Sequence, residues 1–249
     1  MCLIAFAWNP QSPTPLLLAA NRDEFYDRPA HPLHLWNDAP HVLAGRDLEA
    51  GGTWLGISAE GRFAALTNIR DPQLPVGVRS RGNLPLDFLN TPLSIEEHLQ
   101  QLATQSTLYQ GFNLLLGDHQ QLWHFNSQSG QYQQLSTGVY GLSNADLDTP
   151  WPKLTRSREQ LRALNGQANT EDLWAIMADT TRPTDAELPN TGIGLSGERL
   201  LSSAFIASTS YGTRASTAVR VYADGNFEIS ERCFGPHGVV ISETTLCKP

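Results

Sequence analysis

Apolar runs of strand length, separated by turn signals, dominate the first third of the chain. They cover residues 2–8, 16–20, 54–58 and 62–68. Asn9-Pro10 through Pro15 reads as a turn that joins the first two runs into a hairpin. A second hairpin is expected across "SAEGR", between residues 53–57 and 63–68. The period then changes. Ile95, Leu99 and Leu102 share one helical face, and Ser94 with Glu97 forms a capping box, so 94–105 reads as a helix. Strands follow at 112–116 and 122–125, with "GDHQQ" as their turn, and at 139–142. A helix opening at Thr149-Pro150 carries Leu154, Leu161 and Leu164, and Thr170 is expected to cap another over 171–179. Strand patterns return at 203–208, 215–222, 227–231 and 238–242. Strands, helix, strands, helices, strands is not an alternating βαβ order. It predicts an α+β protein of two antiparallel sheets with helices packed outside, in one domain spanning residues 1–249.

Composition narrows the function. A net charge of −8 with no Lys/Arg run argues against a nucleic-acid surface and weakens the case for anionic membranes. No Lys or Arg precedes the first apolar run and Asn9-Pro10 ends it early, so no secretory leader is expected. No apolar run approaches the roughly 20 residues of a membrane span. The 3 cysteines, Cys2, Cys233 and Cys247, are too scattered for a disulfide framework or a zinc site. The expectation is a cytoplasmic protein without membrane insertion.

Cys2 stands where removal of Met1 would leave a thiol and a free α-amine on one residue, a nucleophile with its own base. It is equally a small buried residue at a strand start. "LAANRDEFYDRP" sets Asn21, Arg22, Asp23 and Glu24 directly after an apolar run. Such a cluster can orient a nucleophile or form a solvated strand end. Gly51-Gly52 allows a close backbone approach, and Asn68 ends a strand where its amide can face an oxyanion or cap its own turn. Asn144 in "GLSNADLDTPWPK" and Arg214 in "YGTRASTAVRV" repeat this strand-end theme. His31, His34 and His41 fall in a proline-containing stretch and read as a solvated loop, so no metal centre is expected. No phosphate-loop, dinucleotide, serine-elbow or zincin motif occurs.

Taken together, "MCLI", "LAANRDEF", "GGTWLGIS" and "AALTN", in order within the first 70 residues, resemble the NRDE family, the transport and Golgi organisation protein 2 family. "GLSNADLDTPWPK" and "YGTRAST" extend the likeness over nearly the whole chain. The resemblance implies an N-terminal nucleophile hydrolase-like fold, a four-layer αββα sandwich similar to the cysteine-dependent penicillin and bile-acid amidases. In such an enzyme Cys2 would attack an amide carbonyl, with Arg22 and Asp23 beside it, Asn68 and Asn144 as oxyanion or positioning groups and Arg214 lining the site. Those amidases carry Arg-Asn-x-Asp, whereas Arg22 and Asp23 are adjacent here.

The family resemblance also implies haem trafficking, with no required cofactor and with haem, or another small amphipathic ligand, as cargo for an unidentified delivery partner. Asn21, Glu24, Phe25, Trp54 and Phe63 would then line a binding cleft between the sheets. Acyl-CoA or lipid binding is a third reading, with Arg22 or Arg214 on the phosphate.

Overall fold

The computed structural model describes residues 2–248. Alternation along the first hairpin builds the layers. Strand β1 (Cys2–Trp8) turns Cys2, Ile4, Phe6 and Trp8 to one side and Leu3, Ala5 and Ala7 to the other. It pairs antiparallel with β2 (Leu16–Phe25), which sorts Leu16, Leu18 and Ala20 in the same way. The later strands β10 (Gly138–Leu142), β11 (Tyr211–Val221), β12 (Phe227–Phe234) and β13 (Val240–Cys247) complete this sheet in the order β10-β1-β2-β11-β12-β13. The second sheet is a meander of β3 (Ala30–Leu35), β4 (Val42–Asp47), β5 (Leu55–Ser58), β6 (Phe63–Asn68), β7 (Phe112–Gly117), β8 (Leu122–Asn126) and β9 (Gln131–Gln134). Every named strand pair is antiparallel.

Three apolar cores separate four layers. Ile4, Phe6, Trp8 and Leu18 of the first sheet meet Leu55, Ile57, Phe63 and Leu115 of the second. Each fully buried side chain of this kind contributes about 1.5–3 kcal/mol. Outside the first sheet pack α3 (Pro152–Ala163) and α4 (Thr170–Met177), through Leu154, Leu161, Leu173 and Met177. Outside the second sheet pack α1 (Asn83–Asn90) and α2 (Ile95–Gln105), through Leu84, Phe88, Leu99 and Leu102. A short α5 (Gly194–Leu200) follows α4 in the chain. The architecture is an α+β sandwich in αββα order.

Several elements differ from the sequence expectation, each for a local reason. Strand β2 does not stop at Ala20 but runs to Phe25, because β11 pairs with it along its whole length. Residues 30–35 and 42–47 are strands rather than a solvated loop, and of the three histidines only His41 stays in the turn between them. Pro32 is tolerated because β3 is an edge strand whose register shifts between His31 and His34. The 203–208 run forms no strand. The Phe205 amide bonds the Asp179 carbonyl at 2.9 Å and Ser203 Oγ bonds the Phe205 carbonyl at 2.7 Å, so its backbone is satisfied by turns. Helix α3 begins at Pro152, not Pro150, and α4 is capped by Asn169 with Asp172, not by Thr170. The Ser94–Glu97 capping box forms as expected.

Candidate functional site

At one end of the sandwich the sheets part around a cavity of about 440 Å³, within the size range of small-molecule sites. One rung of the first sheet forms its floor. Cys2 pairs with Arg22, Arg22 with Ala215, Ala215 with Cys233 and Cys233 with Ser242, and all five line the cavity. Four interstrand spacings make that floor ~19 Å long, and three of them set the two cysteine Cα atoms ~14 Å apart. The second sheet supplies His31, Gly45, Arg46 and Asp47, together with Trp54, Leu66 and Asn68.

Parity divides the Asn-Arg-Asp-Glu cluster. Arg22 and Glu24 turn to the cavity side. The Arg22 guanidinium donates to Asp47 Oδ2 at 3.1 Å and lies 3.9 Å from Glu24 Oε2. Asn21 turns to the helical side, where its amide donates to the Met177 and Ala204 carbonyls, each at 2.8 Å, and accepts from Ser216 Oγ at 2.6 Å. It is fully buried and off the cavity lining.

Asp23 also belongs to the helical side, although it reaches the lining behind Cys2. Thr213 Oγ1 donates to its Oδ1 at 2.8 Å and the Tyr211 hydroxyl donates to its carbonyl at 3.2 Å. Burial raises the Asp23 carboxyl and the charge of Lys153 opposes that rise. Burial in turn pushes Lys153 down to about 8, with Asp23 holding it up. The Lys153 ammonium donates to the Leu201 carbonyl at 2.9 Å.

The remaining expected site residues separate clearly. Cys2, Trp54, Asn68 and Arg214 line the cavity. Arg214 also donates to the carbonyls of Phe25 and Arg28, which holds the chain reversal after β2. Asn144 is buried beside the site but off its lining. Its Nδ2 donates to the Asn68 carbonyl at 2.9 Å, so it clamps the end of β6. Phe25 is 54% exposed and meets Tyr211 edge to face, and Phe63 is sealed in the intersheet core. Neither lines the cavity. Met1, whose removal a free Cys2 amine requires, lies outside the described residues.

Sequence reasoning missed much of the cavity's charge. Arg28, Arg46, Arg79 and Arg81 join Arg22 and Arg214, facing the carboxylates of Asp23, Glu24, Asp47 and Glu231. Burial opposes ionisation of Asp47, but the hydrogen bond from Arg28 prevails and holds its carboxyl below the usual range. Arg81 is placed by a close backbone approach. A Cβ on Gly52 would fall 2.3 Å from the Gly82 carbonyl oxygen, so the Gly51-Gly52 pair admits the 79–82 segment rather than a ligand. Glu231 ties the sheets together: its Oε1 accepts from the Leu33 amide at 2.7 Å and from the Cys233 thiol at 3.4 Å. Burial raises the Cys2 thiol, and burial with Glu231 pushes Cys233 up to about 12. His31 and His34 sit on β3, and only His31 lines the cavity. Among the described residues no three His, Cys, Asp or Glu side chains form a metal-holding group.

The sequence profile of the transport and Golgi organisation 2 family matches residues 1–236. The chain belongs to that family. It is 36% identical to the bovine transport and Golgi organization protein 2 homolog and 37% identical to the human one. In both comparisons 93% of this chain and 92% of the relative are covered. Among solved structures, it is similar to the Caenorhabditis elegans N-acylethanolamine-hydrolyzing acid amidase ortholog, with a TM-score of 0.49 and 11% identity over 89% of this chain and 93% of that one. No helix among the described residues is long and apolar enough to cross a membrane.

Proposed function

We propose that this family member is a haem carrier whose cargo occupies the cavity at the open end of the sandwich. One observation carries the reading: a long floor combines arginines, soft or imidazole donors and apolar walls in a single cavity. Haem presents two carboxylates, a flat apolar ring and an iron. Arg22, Arg81 and Arg214 suit the carboxylates, since guanidinium groups hold them through paired, charge-assisted hydrogen bonds. Trp54, Leu66 and Phe234 suit the ring, and Cys2, Cys233 or His31 suits the iron. Thiols whose protons are held by burial ligate weakly, which favours release over permanent retention. Three free cysteines accord with a cytoplasmic site of action.

Titration with haem tests this reading. Saturable growth and displacement of the Soret band at micromolar protein is expected, and its absence overturns the carrier.

A second reading, an N-terminal cysteine amidohydrolase, is favoured by the Cys2 thiol lying in a cavity with Asn68 and Asp23. It requires Met1 to be removed and an oxyanion donor other than the Asn144 amide bond already given to Asn68. Intact mass of the protein from its own host, together with Cys2→Ala, separates the two. The enzyme loses all turnover of an N-acyl amine, while the carrier keeps most of its affinity or loses only one iron ligand.

A further inference from the structure

One lip of the cavity is residues 75–81, Pro-Val-Gly-Val-Arg-Ser-Arg, and its backbone holds two apolar side chains out in water. Gly77 pins the centre. A Cβ there would fall 2.3 Å from the Gln110 nitrogen, so the segment lies directly against residues 109 and 110. The Arg79 amide then bonds the Leu108 carbonyl at 3.0 Å, and Arg79 forms a parallel bridge with Tyr109. Val76 and Val78 flank the pinned glycine and are each 84% exposed. A second lip is Val239 and the start of β13, where Val240 and Ile241 are likewise exposed. Val76 and Ile241 both line the cavity, so the two lips border one opening. Isolated exposed aliphatic residues are ordinary, but five around the mouth of a ligand cavity mark an interaction surface.

Charge identifies what that surface meets. Arg79 and Arg81 lie on the same segment as Val76 and Val78, and neither has a carboxylate within ion-pair distance among the described residues. Arg79 feels Asp87 only at longer range. Arg81 donates to the Gly111 carbonyl at 3.2 Å and turns to the cavity, whereas Arg79 is exposed with only Gln105 Oε1 at 3.4 Å. Branched aliphatic side chains beside this exposed guanidinium match the boundary between anionic headgroups and acyl chains. The chain as a whole carries −8, which repels such a surface, so an approach needs a local patch of this kind.

We propose that the mouth of the cavity docks on an anionic phospholipid bilayer, without spanning it, so that an amphipathic ligand passes between membrane and cavity. The inference rests on the proposed carrier reading for its purpose, but on the two lips for its evidence. The apolar part of the patch joins two segments far apart in sequence, 75–81 and 239–241, while its charge comes from the first alone.

Vesicle flotation tests it, using phosphatidylcholine alone and phosphatidylcholine mixed with phosphatidylserine. The wild-type protein should float with the mixed vesicles and lose binding as salt rises. Arg79→Gln should weaken partition about fivefold, and Val78→Asp with Val240→Asp should weaken it at least about tenfold. The valine variant should keep the wild-type melting temperature and haem titration, because neither residue lines the cavity. No flotation, or equal flotation of the valine variant, overturns the proposal. So does a dimer in sedimentation equilibrium that the valine variant dissolves, since the surface would then belong to a second copy of the chain. Flotation without haem binding defeats the carrier and leaves docking standing, whereas haem binding without flotation does the reverse.

Discussion

Asn21 and Arg22 are adjacent on β2 and project to opposite faces of one sheet. Asn21 is sealed against the helical layer, with its amide spent on two backbone carbonyls and a serine hydroxyl. Arg22 faces the cavity and shares Asp47 with Arg28. Glu24 follows Arg22, whereas Asp23 is held by Thr213 on the helical side and still reaches the cavity lining. A polar cluster that reads as one motif is therefore two devices, a brace and a cavity wall, separated by strand parity. Polarity alone does not assign a role; the face does.

The comparison breaks most directly at the brace. Asn21→Ala leaves the Met177 and Ala204 carbonyls without the amide that joins them to the sheet. Losing buried partners of this kind should lower unfolding stability by about 3 kcal/mol. Urea unfolding measures it, and haem titration of the remaining folded protein should give the wild-type affinity. A stability change below ~1 kcal/mol together with lost ligand binding would reverse the assignment of the two faces.

Arg22→Gln probes the other face and should show the opposite balance. Its ion pair with Asp47 is partly exposed, and Asp47 keeps Arg28, so stability should fall by only about 1 kcal/mol. Affinity for a carboxylate-bearing ligand should fall about tenfold, because a charge-assisted hydrogen bond is lost from the cavity floor. Haem titration beside a urea curve reads both numbers. If stability and affinity fall together, Arg22 is a brace as well.

What the chain discloses before folding follows from the same parity. Runs with a clear period, such as 2–8 and the capped helix at 94–105, match β1 and α2 because local pattern and burial agree there. Strands β3 and β4 escaped because Pro32, three histidines and short apolar stretches imitate a loop, while their order comes from pairing at the sheet edge. The 203–208 stretch has strand-like side chains, but its backbone bonds go to Asp179, to Thr213 and to its own serine hydroxyl rather than into a ladder. In the cavity, Cys2, Arg22, Glu24 and Arg214 were legible because they stand at strand ends. Phe25 and Phe63 were not separable from them without knowing which face and which end each occupies. Arg79, Arg81, Glu231 and Cys233 carry no local signal at all. A glycine approach and a shared rung bring them in, and only tertiary structure creates those.

The smallest effect should come from the partner of Arg22 on the same face. Glu24 lies 3.9 Å from the Arg22 guanidinium, too far for a strong pair, and its Oε1 accepts from the Phe25 amide at 2.9 Å. A glutamine there keeps an oxygen for that amide, so Glu24→Gln should change stability by under ~0.5 kcal/mol. It also removes a negative charge from the cavity, which should raise affinity for an anionic ligand about threefold. This gain is a field effect, so it should shrink as ionic strength rises and the screening length falls from about 10 Å towards about 3 Å. Titrations at low and high salt measure the difference. A gain that survives high salt would mean that Glu24 acts by shape, and that the cavity side of β2 sorts its ligands by fit rather than by charge.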